Sequence, residues 1–301
     1  MAGVCAGRIV IVTGAGRGLG RAYALAFARE GARVVVNDLG TSLSGAGRDS
    51  ATAQAVVEEI RAAGGEAVAN GDDVSDWDSA GRLIATALES FGGLDVIVNN
   101  AGFVRDRMFV SATVEEWDAT MKVHLRGHFC VARHAVDYWR ACAKQGKPVD
   151  ARIINTSSGA GLNGSIAQSA YAAAKGGIAT LTLVQAAELQ RYGITANALA
   201  PAARTRMTEQ AFAEKMKRPE DGFDVQDPDN VAPTVVWLGS AASRAVTGCI
   251  FELEGGKIMI DDGWSDGPQI DRHARWHPAE VGAAVATLLA QRRAQKKVYG
   301  T

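Results

Sequence analysis

Short apolar runs alternate with longer segments of helical periodicity along most of this 301-residue chain. The runs are nearly continuous in Val, Ile, Leu and Ala, which is typical of strands that are buried on both faces of a sheet. A strand–helix–strand repeat of this kind forms a parallel sheet with helices on both faces. The sequence therefore predicts an α/β fold built on a doubly wound parallel sheet. The predicted strands are residues 9–13, 33–37, 66–69, 94–99, 152–156, 195–200 and 249–253.

Glycines and a capping pattern predict where several helices end and begin. Helical segments stop at Gly64 and Gly92, because glycine readily adopts the left-handed conformation that terminates a helix. Thr113 and Glu116 have the spacing of a capping box. They predict the start of a helix that runs toward Trp139.

The alternation of strands and helices is lost beyond residue 256. We predict one domain over residues 1–256 and a carboxyl-terminal extension over residues 257–301. The extension is expected to pack on the same domain or on a neighbouring subunit, and to contain a terminal helix over residues 278–293. Residues 39–50 are rich in Gly and Ser and predict a long loop.

The composition narrows the classes of function. The chain is 47% hydrophobic and 22% charged with a net charge of −1, which is ordinary for a globular protein. This balance gives no general attraction to nucleic acid or to an anionic membrane. We expect no membrane insertion, because no apolar run reaches the roughly 20 residues that cross a bilayer. Residues 9–12 resemble a strand and not a signal peptide, so we expect a cytoplasmic protein.

Cysteine and histidine spacing gives little support for a metal site. His124 and His128 have metal-ligand spacing on a helix, but no third ligand is evident, so we predict no bound metal. No pair of cysteines has the CxxC spacing, which also argues against a disulfide framework. The cysteines are Cys5, Cys130, Cys142 and Cys249.

A glycine-rich turn follows the first predicted strand and opens a helix. It contains Gly14, Gly18 and Gly20, with Arg17 and Leu19 among them. Such a turn brings backbone amides close to a pyrophosphate, and the helix N-terminus adds a favourable dipole. Glycines that serve only a tight turn give the same pattern, so the flanking strand and helix carry the argument. We expect these five residues to bind a dinucleotide.

Carboxylates follow the second and third predicted strands. Asp38 lies at about the distance from the glycine-rich turn at which an acidic residue binds a ribose diol. A carboxylate there repels a 2′-phosphate, so we predict NAD over NADP, although the Arg17 cation favours the phosphate. A solvated turn acid is the simpler alternative for Asp38. Asp73 and Val74 are expected near the adenine, and a helix cap explains Asp73 equally well.

The fourth predicted strand ends in small and amide residues. Asn100, Ala101 and Gly102 suit a backbone that is pressed against a cofactor. Ligands of open α/β sheets bind at the carboxyl ends of the strands. We therefore expect these three residues to bind the same dinucleotide.

Ser158, Tyr171 and Lys175 form the strongest candidate for chemistry. A Tyr-x-x-x-Lys spacing arises by chance in many sequences, but on a helix the two side chains share a face. An ammonium beside a phenol lowers the phenol pKa from its ordinary value of about 10, so that its proton becomes movable near neutral pH. A serine hydroxyl delivered from elsewhere can hold a substrate oxygen against that phenol.

These motifs together resemble the short-chain dehydrogenase/reductase family over residues 8–256. The resemblance is closest to the (3R)-hydroxyacyl-CoA dehydrogenase branch. That branch includes the dehydrogenase portion of the peroxisomal multifunctional enzymes, also classed as 17β-hydroxysteroid dehydrogenases, and single-domain bacterial relatives. The stretches that carry the closer resemblance are residues 20–28, 34–40, 105–107 and 123–127.

The resemblance implies a Rossmann-like, seven-stranded sheet and a homotetramer or homodimer. It also implies the reversible, NAD-dependent oxidation of a secondary alcohol. The first expectation for the substrate is a (3R)-hydroxyacyl-CoA, and a 17β-hydroxysteroid is the alternative. Tyr171 is then the general acid/base, Ser158 orients the reacting oxygen, and Lys175 holds the nicotinamide ribose. Tyr171 and Lys175 therefore count as both catalytic and cofactor-binding residues.

Further residues take roles only through this resemblance. Asn99 and Ala101 are expected beside the adenosine ribose. Thr205 is expected at the nicotinamide carboxamide, with Pro201 shortly before it in the cofactor site. His124 occupies the place of the family's catalytic asparagine, where it would serve a proton relay.

Two other classes of function compete with an enzyme. One is a non-catalytic dinucleotide-binding sensor, and the other is a scaffold subunit that assembles through the terminal helix. The presence of Ser158, Tyr171 and Lys175 together argues against a protein that only binds, because binding alone does not require all three.

Overall fold

All seven predicted strands pair in one sheet, and an eighth strand extends its edge. The computed structural model describes residues 3–41, 47, 49–211, 213–214, 216–294 and 296–300. The sheet order is β3-β2-β1-β4-β5-β6-β7-β8. Strands β1 to β7 are parallel, as predicted, and β8 runs antiparallel to β7. The strands are β1 (Ile9–Thr13), β2 (Arg33–Asn37), β3 (Glu66–Asn70), β4 (Val96–Asn99), β5 (Ala151–Thr156), β6 (Ile194–Ala202), β7 (Ile250–Glu254) and β8 (Lys257–Ile260).

Helices connect the parallel strands and cover the two faces of the sheet. Side chains that alternate along β1 enter two different apolar clusters, with Val10 and Val12 in one and Ile9 and Ile11 in the other. Both faces are therefore buried, which explains the continuous apolar runs of the sequence. The helices are α1 (Gly18–Arg29), α2 (Ala51–Ala62), α3 (Trp77–Phe91), α4 (Val114–Met121), α5 (Gly127–Lys144), α6 (Gly159–Asn163), α7 (Ser169–Leu189), α8 (Arg206–Ala211), α9 (Ala232–Gly239) and α10 (Pro278–Gln291).

A π turn interrupts the helix that was predicted to run from Thr113 toward Trp139. The capping box is confirmed: the Thr113 side chain accepts from the Glu116 amide, and the Glu116 side chain accepts from the Thr113 amide. After α4 the backbone forms a π turn at Lys122–Arg126 before α5 begins. Such turns occur frequently at functional sites. This one carries His124, whose side chain is buried.

The segment after residue 256 continues the sheet of the same chain. Gly255 and Gly256 connect β7 to β8, and Glu254 pairs with Lys257 across that turn. The predicted terminal helix is present as α10, which buries none of its described residues. The division into a domain and an extension stays a prediction. The loop predicted at residues 39–50 lies partly outside the described residues, since 42–46 and 48 are not among them.

No helix within the described part of the chain is both long enough and apolar enough to cross a membrane.

Candidate active site

A cleft of about 250 Å³ opens at the carboxyl ends of the central strands. This is the edge at which open α/β sheets bind their ligands. Most of the predicted cofactor-binding residues line it, and they are Gly14, Arg17, Gly18, Leu19, Gly20, Asp38, Asp73, Val74, Asn100, Ala101, Gly102 and Thr205. The lining also includes residues that the sequence did not single out, which are Asn37, Leu39, Thr41, Asp72, Phe103, Val123 and Arg206.

The glycine-rich turn is fastened to the end of β4. Thr13 Oγ1 accepts from the amides of Asn100 and Ala101 at 2.9 and 3.1 Å. Asn100 Nδ2 in turn donates to the carbonyls of Thr13 and Gly14 at 3.0 and 3.2 Å. A Cβ added to Gly14 would lie 2.8 Å from Ala101 Cα, and one added to Gly20 would lie 2.1 Å from the Gly14 carbonyl oxygen. The turn therefore requires glycine at both positions.

The side chain of Asn99 lies apart from the lining of the cleft, and its expected place beside the adenosine ribose stays a prediction. Asn99 is buried, and its Nδ2 donates to Asn155 Oδ1 at 3.0 Å, whereas Ala101 lines the cleft as expected. Asn155 Nδ2 donates onward to Thr182 Oγ1 at 2.9 Å and to Gln185 Oε1 at 2.8 Å. The reason lies in the position of Asn99 within β4, where its side chain is directed to the neighbouring strand β5. Asn99 thus joins β4 to β5 and α7.

Asp38 is held by two backbone amides at the wall of the cleft. Gly16 N donates to Asp38 Oδ2 at 2.8 Å, and Gly40 N donates to Asp38 Oδ1 at 2.6 Å. The guanidinium of Arg17 contacts Thr52, with 3.2 Å between Nη2 and Oγ1. The carboxylate therefore both closes a turn through Gly40 and reaches the glycine-rich turn through Gly16, and its role toward a ribose stays a prediction.

Asp73 lines the cleft and also closes a turn. Its Oδ1 accepts from the amide and the hydroxyl of Ser75 at 2.8 and 2.7 Å. The cap of α3 is formed by Asp76, which accepts from Ser79 N at 2.9 Å. Asp73 is accordingly a turn residue at the cleft, and the residue that caps α3 is Asp76. Val74, which follows it, is nearly buried beneath the cleft.

Ser158, Tyr171 and Lys175 come together at the carboxyl end of β5. Ser158 begins α6, and its Oγ accepts from Ala160 N at 3.2 Å. The Ser158 hydroxyl is also near enough to the Tyr171 phenol to lower its pKa. Lys175 lies one turn beyond Tyr171 on α7, with Nζ at 5.6 Å from the centre of the phenol ring. The three predicted catalytic side chains therefore share one site.

Burial dominates the protonation of Tyr171 and Lys175. Burial raises the pKa of Tyr171, the nearby Ser158 hydroxyl lowers it, and the Asp106 charge raises it. Burial lowers the pKa of Lys175 to about 7. The sequence predicted a lowered phenol pKa, and for the protein by itself that is wrong. The reason is that removing water disfavours the phenolate and the ammonium alike.

Lys175 is anchored by the end of β5. Its Nζ donates to the Thr156 carbonyl at 2.6 Å, and its own carbonyl accepts from Ser157 Oγ at 2.8 Å. His128 also holds the end of β5, since Thr156 N donates to His128 Nε2 at 3.2 Å. The sequence did not reveal these supports. The spacing of His124 and His128 was the available signal, and it indicated a core or relay role more strongly than a metal site.

His124 on the π turn reaches the catalytic tyrosine. Its ring meets the Tyr171 ring edge-on, with centroids 5.3 Å apart. Nε2 lies 2.7 Å from the Phe103 carbonyl oxygen and 3.2 Å from the Phe103 amide nitrogen, and the shorter contact fits the tautomer with the proton on Nε2. Nδ1 is buried and has no hydrogen-bond partner among the described residues. Burial and the Lys175 charge lower the pKa of His124 to about 3, so the ring is neutral and Nδ1 is an acceptor.

The last two predicted residues of the cofactor site follow β6. Thr205 lines the cleft near the glycine-rich turn. A Cβ added to Gly18 would lie 3.5 Å from Thr205 Cγ2, which shows how close the two residues are. Pro201 lies within β6, which continues through Ala202, and it pairs with Leu253 of β7; its place in the cofactor site stays a prediction. Pro201, Tyr171 and Lys175 are outside the described lining of the cleft.

The part of the chain that matches a known family contains the residues of this site. Residues 8–216 match the family model described as short chain dehydrogenase. The chain belongs to the short-chain dehydrogenase family. It is therefore an oxidoreductase that acts on CH–OH groups with a nicotinamide cofactor.

Relatives and solved structures extend the similarity over nearly the whole chain. Hydroxyacyl-CoA dehydrogenase ChsB1 of Mycobacterium tuberculosis is 42% identical over 98% of this chain and 92% of its own length. Peroxisomal multifunctional enzyme type 2 of Mus musculus is 46% identical over 86% of this chain, which corresponds to 32% of that longer enzyme. A crystal structure of a short chain dehydrogenase from Mycobacterium avium is 60% identical with a TM-score of 0.90, covering 99% of this chain and 100% of that one.

Proposed function

We propose that this short-chain dehydrogenase is an NAD-dependent (3R)-hydroxyacyl-CoA dehydrogenase in the breakdown of lipids or steroid side chains. The observation that carries the chemistry is that Ser158 acts on the Tyr171 phenol while the buried Lys175 lies beside the same ring. The choice of substrate class is supported by the names of the relatives, a hydroxyacyl-CoA dehydrogenase and the multifunctional enzymes.

The residues of the cleft fit a dinucleotide. Gly14 and Gly20 leave no room for a side chain, so the backbone itself forms the wall at the start of α1. Gly18, Leu19, Asn100, Ala101 and Gly102 complete that wall. Backbone amides and a helix N-terminus at this place suit a pyrophosphate.

Asp38 favours NAD as the cofactor. Its carboxylate is fixed at the cleft by the Gly16 and Gly40 amides, where it accepts a ribose diol and repels a 2′-phosphate. Arg17, the cation that could accept such a phosphate, is hydrogen-bonded to Thr52.

Proton transfer falls to Tyr171 and Ser158. In the oxidation direction the Ser158 hydroxyl holds the substrate oxygen, and the Tyr171 oxygen takes the hydroxyl proton as the C=O bond forms. Bound NAD supplies the acceptor for the hydride that leaves the same carbon. Because the protein alone raises the pKa of Tyr171, the charge of Lys175 is needed to favour the phenolate during turnover.

His124 provides a route for the proton beyond Tyr171. Its neutral Nδ1 is a buried acceptor without a partner among the described residues, and its ring touches that of Tyr171. A water held between Nδ1 and the Lys175 ammonium would satisfy both groups. His124 thereby replaces the asparagine of the family through its ring nitrogen.

A substitution at Tyr171 tests the proposed chemistry. We expect Tyr171→Phe to lower kcat about 10²- to 10⁴-fold, because the general acid/base is lost. NADH binding, followed by nucleotide fluorescence, should persist because the cleft is intact. Unimpaired turnover of the variant would remove Tyr171 from this role.

A turnover panel tests the substrate class. NAD and NADP are each combined with 3-hydroxyacyl-CoA esters of both configurations and with 17β-hydroxysteroids. We expect the highest kcat/KM with NAD and a (3R)-hydroxyacyl-CoA. Preference for the hydroxysteroid would select the alternative substrate, and tight NADH binding without any turnover would identify a sensor.

A further inference from the structure

The loop that joins Ser158 to Tyr171 is held from one side by a segment that follows β4. Residues 164–168 form this loop between α6 and α7. Arg107 N donates to the Ala167 carbonyl at 2.7 Å, and Gln168 Nε2 donates to Asp106 Oδ1 at 2.8 Å. Ala167 has a φ of 61°, a conformation that is uncommon for a residue with a side chain and that the surrounding contacts must sustain.

The carboxyl-terminal segment, residues 296–300, holds the same loop from another side. Tyr299 N donates to the Gly164 carbonyl at 3.1 Å, and Ile166 N donates to the Tyr299 carbonyl at 2.9 Å. These two bonds pair Tyr299 with Ser165 as a parallel bridge. More than 120 residues of sequence therefore separate the loop from the segment that holds it.

The Tyr299 ring covers the residue next to Ser158. A Cβ added to Gly159 would lie 2.5 Å from Tyr299 Oη and 2.9 Å from its Cε2, so the ring is stacked on the first turn of α6. Asn163 at the end of α6 is near enough to the Tyr299 phenol to lower its pKa. The ring thus spans the helix that Ser158 begins.

An ion pair fixes the carboxyl-terminal segment to the edge of the sheet. Lys296 Nζ lies 2.7 Å from Asp261 Oδ1 and 3.4 Å from Glu252 Oε2. Glu252 belongs to β7, and Asp261 directly follows β8. The additional strand β8 therefore provides the anchor from which Tyr299 reaches the catalytic loop.

We propose that Tyr299 is a positioning residue that sets Ser158 against Tyr171 for the reaction. The inference rests on the proposed function, since it assigns Tyr299 to the dehydrogenase site. Tyr299 does not touch the reacting atoms; it acts through Gly159 and the 164–168 loop. Its described contacts fall on α6 and this loop, while the cofactor cleft is built from the ends of β1, β2 and β4. Loss of its ring should therefore impair the alcohol step and spare cofactor binding.

Variants of the intact chain test this assignment. We expect Tyr299→Ala to lower kcat/KM for a (3R)-hydroxyacyl-CoA about tenfold or more, because a small displacement of a catalytic group has a large effect on rate. Tyr299→Phe keeps the ring and should stay within about threefold of the parent, and Lys297→Ala, at an exposed neighbour, should change nothing. NADH affinity should remain within about twofold in all three variants.

Hydrogen exchange of the peptide over residues 159–168 gives a readout that does not depend on turnover. We expect faster exchange in Tyr299→Ala than in the parent or Lys297→Ala, because loss of the ring contact with Gly159 loosens the segment whose Tyr299 carbonyl accepts from the Ile166 amide. Unchanged exchange in Tyr299→Ala would overturn the proposal, as would unchanged kcat/KM. If the parent protein itself turns over no hydroxyacyl-CoA, the proposed function fails, and the exchange result then stands alone in deciding whether Tyr299 holds the loop.

Discussion

Asp38 shows how a single side chain can serve the fold and the cofactor at once. It accepts from the amide of Gly16 in the glycine turn and from the amide of Gly40 in its own loop. A Cβ added to Gly16 would lie 2.9 Å from Asp38 Oδ2, so turn and carboxylate are in close contact. Substitution of Asp38 should therefore affect both cofactor choice and the order of the turn.

We expect Asp38→Ala to reduce the preference for NAD over NADP by about tenfold or more, because the charge that repels a 2′-phosphate is removed. The ratio of kcat/KM values for the two cofactors measures this preference. Asp38→Asn is the matched variant, because it loses the same charge but its carbonyl oxygen can keep one of the two amide contacts. Comparing it with Asp38→Ala separates the effect of the charge from that of the turn. An unchanged ratio in both variants would show that another group, such as Arg17, sets the choice.

At the residue scale, sequence spacing predicted which side chains meet but not what surrounds them. Tyr171, Lys175 and Ser158 were found from spacing and motif, and the structure brings them together. The pKa of Tyr171 was predicted in the wrong direction, because burial depends on residues far away in the sequence. The side chain of Asn99 bonds Asn155 of the neighbouring strand, a contact that sequence spacing does not reveal because the two residues lie 56 positions apart.

Among the structural elements, the segment after β6 is held by an ion pair of its own. Arg204, which is only 7% exposed, makes a two-pronged contact with Asp224, with both N–O distances 2.7 Å. Its Nε also donates to the Met216 carbonyl at 2.5 Å. Arg204 precedes Thr205 of the cleft, so this pair holds the start of the segment that carries Thr205 to Asp224.

We expect Asp224→Asn to raise KM for NAD about threefold to tenfold, because the Arg204 fork loses its charged partner and Thr205 becomes less well placed. Steady-state kinetics with varied NAD measures the effect. Lys217→Met is the matched control on the same loop, because the Lys217–Glu214 pair is largely exposed and should contribute little. An equal change in both variants would argue against a specific role for the Arg204–Asp224 pair.

Element positions followed well from apolar runs and glycines, and the exceptions have physical causes. The π turn at Lys122–Arg126 preserves the apolar pattern of a helix, so periodicity alone does not reveal it. Strand β8 was missed because it has four residues and exposes Ile258 and Ile260. The Gly255-Gly256 pair between two apolar segments was the available signal for a hairpin.

At the scale of the whole molecule, the outer faces of α5 and α7 leave an apolar groove of about 570 Å³. Phe129 and Val184 in its lining are about half exposed. Exposed apolar surface of this kind on a globular protein marks an interaction site. The homodimer or homotetramer expected from the sequence stays a prediction, and this groove is the surface on which we test it.

We expect Val184→Asp to shift the protein toward a smaller species, because a carboxylate in a dimer contact would be buried without a partner. Size-exclusion chromatography with light scattering measures the mass. Val285→Asp on the exposed α10 is the matched control and should leave the mass unchanged. The reverse result, with dissociation only in Val285→Asp, would assign assembly to the terminal helix.

The hydrogen bonds between Thr13 and Asn100 have a consequence for folding as well as for binding. The two residues lie 87 positions apart, and the glycine turn takes its shape only once β1 and β4 are paired. A nucleotide that needs this turn recognises the folded chain and not the unfolded one. The coenzyme then acts as a thermodynamic stabiliser of the native state, adding about 2.7 kcal/mol at a hundred times its Kd. The cellular supply of that nucleotide therefore helps to set how long the protein survives, apart from how fast it works.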